Sequence, residues 1–156
     1  MNKETISTHE QITEGLQRLL VKNYDAEKGY IKAMQDIDHP SLRGFMQRQA
    51  AKRNSFATEL DHELHLLNEK PKTDGSLAGS LHRTWMDLRD ALNLNDKSAI
   101  LEECLRGEQV SAEEYKQVLN NVQYPQHLRT VINNQLSKIY RTIEDLQQLE
   151  DITKLQ

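Results

Sequence analysis

Glu59 and His62 stand three residues apart in the stretch FATELDHELHLL, residues 56–67. On a helix, residues at that spacing project from one side, so a carboxylate and an imidazole can reach the same cation. Phe56, Leu60, Leu64 and Leu67 place the pair beside the stripe that such a helix would bury. Two further carboxylates occupy comparable positions: Glu27 within the run Leu20, Tyr24, Glu27, Ile31, Met34, and Glu108 between Leu105 and Ala112. A carboxylate in a bundle interior is costly unless it is paired, hydrogen-bonded or bound to metal. Its recurrence on three segments marks Glu27, Glu59, His62 and Glu108 as candidate metal ligands, with iron or manganese as the cofactor. The competing explanation is structural: the carboxylates hydrogen-bond to tyrosines such as Tyr24, Tyr30, Tyr115 or Tyr140, or lie at the wet margin of the stripe.

Other chemistry is poorly represented. There is no Gly-rich phosphate loop, no zinc spacing and no nucleophile–base constellation, so no small-molecule substrate is identifiable. His9, His39, His65 and His127 read as surface or turn residues. His82 shares the segment LHRTWMDL with Trp85 and Met86, where packing is the simpler role. Cys104 falls on an apolar stripe without a basic neighbour in sequence to activate its thiol. A net charge of −4, with acidic and basic residues interspersed, lacks the footprint of a nucleic-acid or anionic-membrane binder. The N-terminus has no signal-peptide pattern and no window is apolar enough to span a bilayer. With one cysteine no internal disulfide can form, and a cytoplasmic location is expected.

The elements that must position these residues are helical. Three prolines, six glycines and a wealth of Leu, Glu, Gln and Lys favour helix over sheet. Three- and four-residue spacings of apolar side chains predict helices over about 6–37, 40–69, 97–121 and 125–152, with a shorter one over about 77–92. Pro40 suits the first turn of the second helix, and Asn95 or Asp96 can cap the helix that starts at 97. The stripe of the second helix runs through Leu42, Phe45, Met46, Gln49, Ala50, Arg53, Phe56, Leu60 and Leu64. A chain of 156 residues suffices for one domain and a sizeable core.

Loop lengths set the topology. Short turns make the first and last pairs of long helices antiparallel hairpins, whereas roughly thirty residues separate the second from the third long helix, so those two run parallel. That is the connectivity of a ferritin-like four-helix bundle with a long crossover carrying the extra short helix. The hairpins also echo each other: Glu27 aligns with Glu108, Tyr30–Pro40 with Tyr115–Pro125, and Gln49 with Gln135. Dinuclear sites of such bundles use a lone Glu from each of two helices and a Glu-x-x-His from each of the others. Glu27 and Glu108 would be the lone carboxylates and Glu59 with His62 one motif. The second motif should fall near residue 145, where Asp145 and Gln148 stand; Gln is a poor substitute for imidazole, so the alternative to a di-iron centre is a mononuclear carboxylate site built from Glu27, Glu59, His62 and Glu108.

The runs SLAGSLHRTWMDLRDAL and DKSAILEECLRGE resemble a family of bacterial ferritin-like bundles known as a domain of unknown function, and the likeness extends from about Leu16 to Leu149. The resemblance implies the bundle fold and a cytoplasmic bacterial protein, and it assigns no reaction. It also implies acidic residues at the positions of Glu27, Glu59 and Glu108, with a histidine near Ile143 more often than at His62. Two functions follow as expectations. One is a stress-related or regulatory bundle without catalysis, able to self-associate through an outer helix face. The other is a metal-dependent oxidoreductase or iron-handling protein whose ligand carboxylates converge in one layer.

Overall fold

Thr8 starts the first helix. Its hydroxyl accepts from the Gln11 amide while the Gln11 side chain accepts from the Thr8 amide, a reciprocal cap that satisfies two otherwise orphaned donors. The computed structural model describes residues 5–72 and 96–154. Within them α1 spans His9–Asp36, α2 Pro40–Leu66, α3 Lys97–Asn121 and α4 Gln126–Lys154. Pro40 occupies the first turn of α2, where its missing N–H is no loss. Asn68, with a φ of 59°, ends that helix in the left-handed region, and the Glu69 amide reaches back to the Leu64 carbonyl. Of the two capping candidates for α3, Asp96 does the work, accepting from the Ser98 and Ala99 amides. The short helix expected over 77–92, with His82 and Trp85, lies outside the described residues.

Side-chain pairs give the course of the chain. Between α1 and α3 and the residues flanking them, Ser7 meets Gln123, Arg18 meets Gln117 and Asn23 meets Tyr115. Residue numbers rise on one helix as they fall on the other, so this pair is antiparallel. Between α2 and α4, Gln49 meets Thr142, Phe56 meets Gln135 and Glu63 meets His127, which is antiparallel again. With the two hairpins also antiparallel, α2 and α3 run the same way, as the long connection requires. The order is up, down, down, up.

The core comes in two apolar parts. One gathers Leu16, Leu20, Leu60, Leu64, Ile132 and Ile139 toward the end where α1 begins. The other gathers Tyr30, Ile37, Phe45, Met46, Ile100, Cys104 and Leu146 toward the end where α1 stops. Of the buried polar residues, Asn23, Gln49, Arg53, Glu108, Ser111, Gln135 and Thr142 fall between and beside these clusters, while Glu63 lies further along α2, paired with His127. Hydrophobic burial holds both halves of the bundle, and a polar layer divides them.

Candidate functional site

Arg53 is the centre of that layer. It stands on the apolar stripe of α2 between Ala50 and Phe56, so the helix period delivers its side chain into the interior, where it is fully buried. Its guanidinium Nη2 donates to Glu108 of α3, which is also fully buried. Its Nη1 donates to Asn23 Oδ1 of α1 at 3.0 Å. Asn23 Nδ2 donates in turn to the Leu19 carbonyl at 2.8 Å and to the Tyr115 hydroxyl of α3 at 2.7 Å. Tyr115 donates to Gln135 Oε1 of α4 at 2.6 Å. Gln135 Nε2 donates to Glu59 at 2.7 Å and to the Phe56 carbonyl at 3.2 Å, returning to α2. All four helices contribute to one connected network.

Electrostatics follow from burial. Removing the guanidinium from water works against its charge, yet the Glu108 carboxylate, helped by Tyr30 and Tyr115, more than offsets this and moves the Arg53 pKa up. Burial pushes the Tyr115 phenol well above its ordinary value, against the opposing field of Arg53. Tyr30 is raised by burial and then by the neighbouring Glu108 charge. The Cys104 thiol is likewise driven up by burial and by Glu108, so it rests as a neutral packing group, in contact with the Met46 sulfur at 3.9 Å. Beside the layer, half-buried Lys52 donates to Thr142 at 3.0 Å, and burial lowers its pKa.

The four candidate ligands do not share one environment. Glu108 is deep in the interior, Glu27 is half-buried, and Glu59 and His62 are exposed. Its half-burial puts Glu27 at the margin of the α1 stripe, and the neighbouring Tyr24 phenol is raised by burial, then by the charges of Asp61 and Glu27. Glu59 and Glu108 do belong to one network, but as its two ends, with Arg53, Asn23, Tyr115 and Gln135 between them. Asp145 and Gln148, where a second Glu-x-x-His was required, are both exposed on α4. Among the described residues no group of three or more His, Cys, Asp and Glu is arranged to hold a metal ion.

The chemistry of the layer agrees. A dinuclear iron or manganese site needs several anionic oxygen donors around an open interior. This layer has a single buried carboxylate, already engaged by a cation that cannot lose its proton. A divalent ion placed there would meet the fixed positive charge of Arg53 at close range. The residues present therefore do not fit a dinuclear metal centre.

Arg53, Asn23 and Gln135 escaped the reading of the sequence as functional residues. The signal for Arg53 was present: an arginine at a stripe position of α2 is as anomalous as a glutamate there, because its charge too must be paired if buried. Asn23 is harder to find, since it sits one residue from the apolar Tyr24 and reads as part of the polar face. Gln135 was marked only as the counterpart of Gln49 in the echo between the hairpins, whereas in the fold it faces Phe56 and Glu59 while Gln49 meets Thr142.

Up-down-down-up connectivity around a polar interior layer defines a ferritin-like four-helix bundle. Residues 11–121 match the family described as a domain of unknown function, DUF2383, and the chain belongs to that family. The fold is similar to that of a ferritin-like, diiron-carboxylate protein from Bacillus anthracis str. Ames, solved by crystallography, with a TM-score of 0.57 and 16% identity over 92% of each chain. At that identity the likeness is one of fold. No curated protein matches the chain. No helix among the described residues is long and apolar enough to cross a membrane.

Proposed function

We propose that this protein is a ferritin-like bundle with a regulatory or stress-related role in the cytoplasm, acting through its helical surfaces and without a redox metal centre. The observation that supports this is the fully buried Arg53 guanidinium, ion-paired with Glu108 in the central layer. A cation supplied by the chain itself neutralises the carboxylate that a metal would otherwise use. Metal handling through Glu27, Glu59, His62 and Glu108 would need Arg53 to leave that layer and exposed side chains to turn inward. Self-association through an outer helix face belongs to the same proposal, since a bundle without an internal reaction has its surface to work with.

The experiment is anaerobic equilibrium dialysis of the protein against Fe(II) and against Mn(II), followed by elemental analysis. The expected result is no stoichiometric metal in the parent and none in Glu27→Ala or Glu108→Ala. Retention of one or two ions per chain, lost on either substitution, would overturn the proposal.

A further inference from the structure

We infer that the bundle interior is a guanidinium-binding site occupied by the chain's own Arg53, held on one edge by Glu108 and linked on the other, through Asn23, Tyr115 and Gln135, to Glu59. The direction of each hydrogen bond carries the inference. Arginine has donors and no acceptor, so the Asn23 group facing it must be the carbonyl oxygen. That orientation turns the Asn23 amide toward the Tyr115 oxygen, which obliges Tyr115 to send its proton to Gln135 Oε1. Gln135 then presents its amide to the Glu59 carboxylate. Each hop donates away from the cation, and the last one ends on an anion.

Such a chain is polarised throughout by the charge at its head, and each bond strengthens the next in a medium of low dielectric. Glu59, exposed at the tail, acts as a remote counter-charge. Its place beside the buried stripe of α2 is thereby explained without a metal. The acceptors around the fork, one carboxylate and one amide oxygen on separate helices, each take a different terminal nitrogen of the guanidinium, which an ammonium with its single nitrogen does not provide. This inference rests on the reading that no metal occupies the layer.

Truncation tests it. Arg53→Ala leaves the acceptors in place and removes the ligand, so the melting temperature should fall by about 10 °C. Methylguanidinium at millimolar concentration should restore at least half of that loss, whereas urea, of similar shape but uncharged, should restore none. Adding Glu59→Gln to Arg53→Ala should weaken the rescue several-fold. Where Arg53→Ala does not fold alone, recovery of helical signal only on refolding with methylguanidinium gives the same answer. Arg53→Lys should melt well below the parent, because one ammonium nitrogen on a shorter head must replace two separate terminal nitrogens. Absence of rescue, equal rescue by urea, or a lysine variant as stable as the parent would each overturn the inference. Stoichiometric metal in the unmodified protein would instead overturn the reading it rests on.

Discussion

Replacing Glu108 with leucine would strand the Arg53 charge. The guanidinium is fully buried, and its other charged contact runs only through neutral Asn23. Breaking a buried ion pair from one side costs about 3–5 kcal/mol, because the surviving charge keeps its desolvation penalty and loses its compensation. Arg53→Met should cost a similar amount by stranding Glu108. The double variant Arg53→Met/Glu108→Leu is expected to fall within ~2 kcal/mol of the parent, since an apolar pair of similar volume requires no compensation and the main residual loss is the Asn23 oxygen left without its donor. Additive behaviour would predict a loss of roughly 6–10 kcal/mol, comparable to the whole stability of an ordinary domain. Urea unfolding followed by far-ultraviolet circular dichroism measures all four proteins, with unchanged m-values as the check that only stability has moved. Single substitutions costing under ~1 kcal/mol, or a double variant as costly as the sum, would refute the claim that the two charges exist for each other.

Alkaline pH should unfold the protein through its tyrosines. Burial raises Tyr30, Tyr115 and Tyr124 above the ordinary 10.0 of the phenol. The folded state therefore holds protons that the unfolded chain releases above about pH 10, and stability is full below that pH and falls as pH rises beyond it. Phenolate absorbance should report these tyrosines ionising together with loss of helix; ionisation of all five before unfolding would contradict their burial. A smaller test addresses the contact of α1 with the turn between α3 and α4: a Cβ at Gly15 would lie 1.9 Å from the Tyr124 hydroxyl and 3.2 Å from its ring carbon. Gly15→Ala should destabilise by about 1–3 kcal/mol through overpacking, despite the better helix propensity of alanine. Tyr124→Phe removes the offending atom and should recover much of that loss, and thermal melts of the four proteins decide it.

Much of the architecture was legible because local rules and the global fold agree. The stripes over 6–37, 40–69, 97–121 and 125–152 became α1 to α4 with ends moved by at most a turn, for Thr8, Asn68 and Asp96 set the caps. Two short turns and one long connection implied the up-down-down-up course, which the Asn23–Tyr115 and Glu63–His127 contacts now establish. Glu108 was also readable as an interior charge, since a helix period places it on the stripe whatever it pairs with.

Which partner Glu108 finds is another matter. Periodicity says that a side chain faces inward, and it does not say which helix lies opposite or at what height. Glu59 and His62 lie one step around α2 from the stripe, far enough for both to be exposed, while Arg53 lies on it and enters the core. The sequence by itself determined the helices, their order and the presence of charge inside the bundle, because those follow from spacing along one chain. Only the tertiary structure decided that the charge is answered by Arg53 and not by four convergent ligands, because pairing depends on register between helices whose relative height spacing along the chain does not encode.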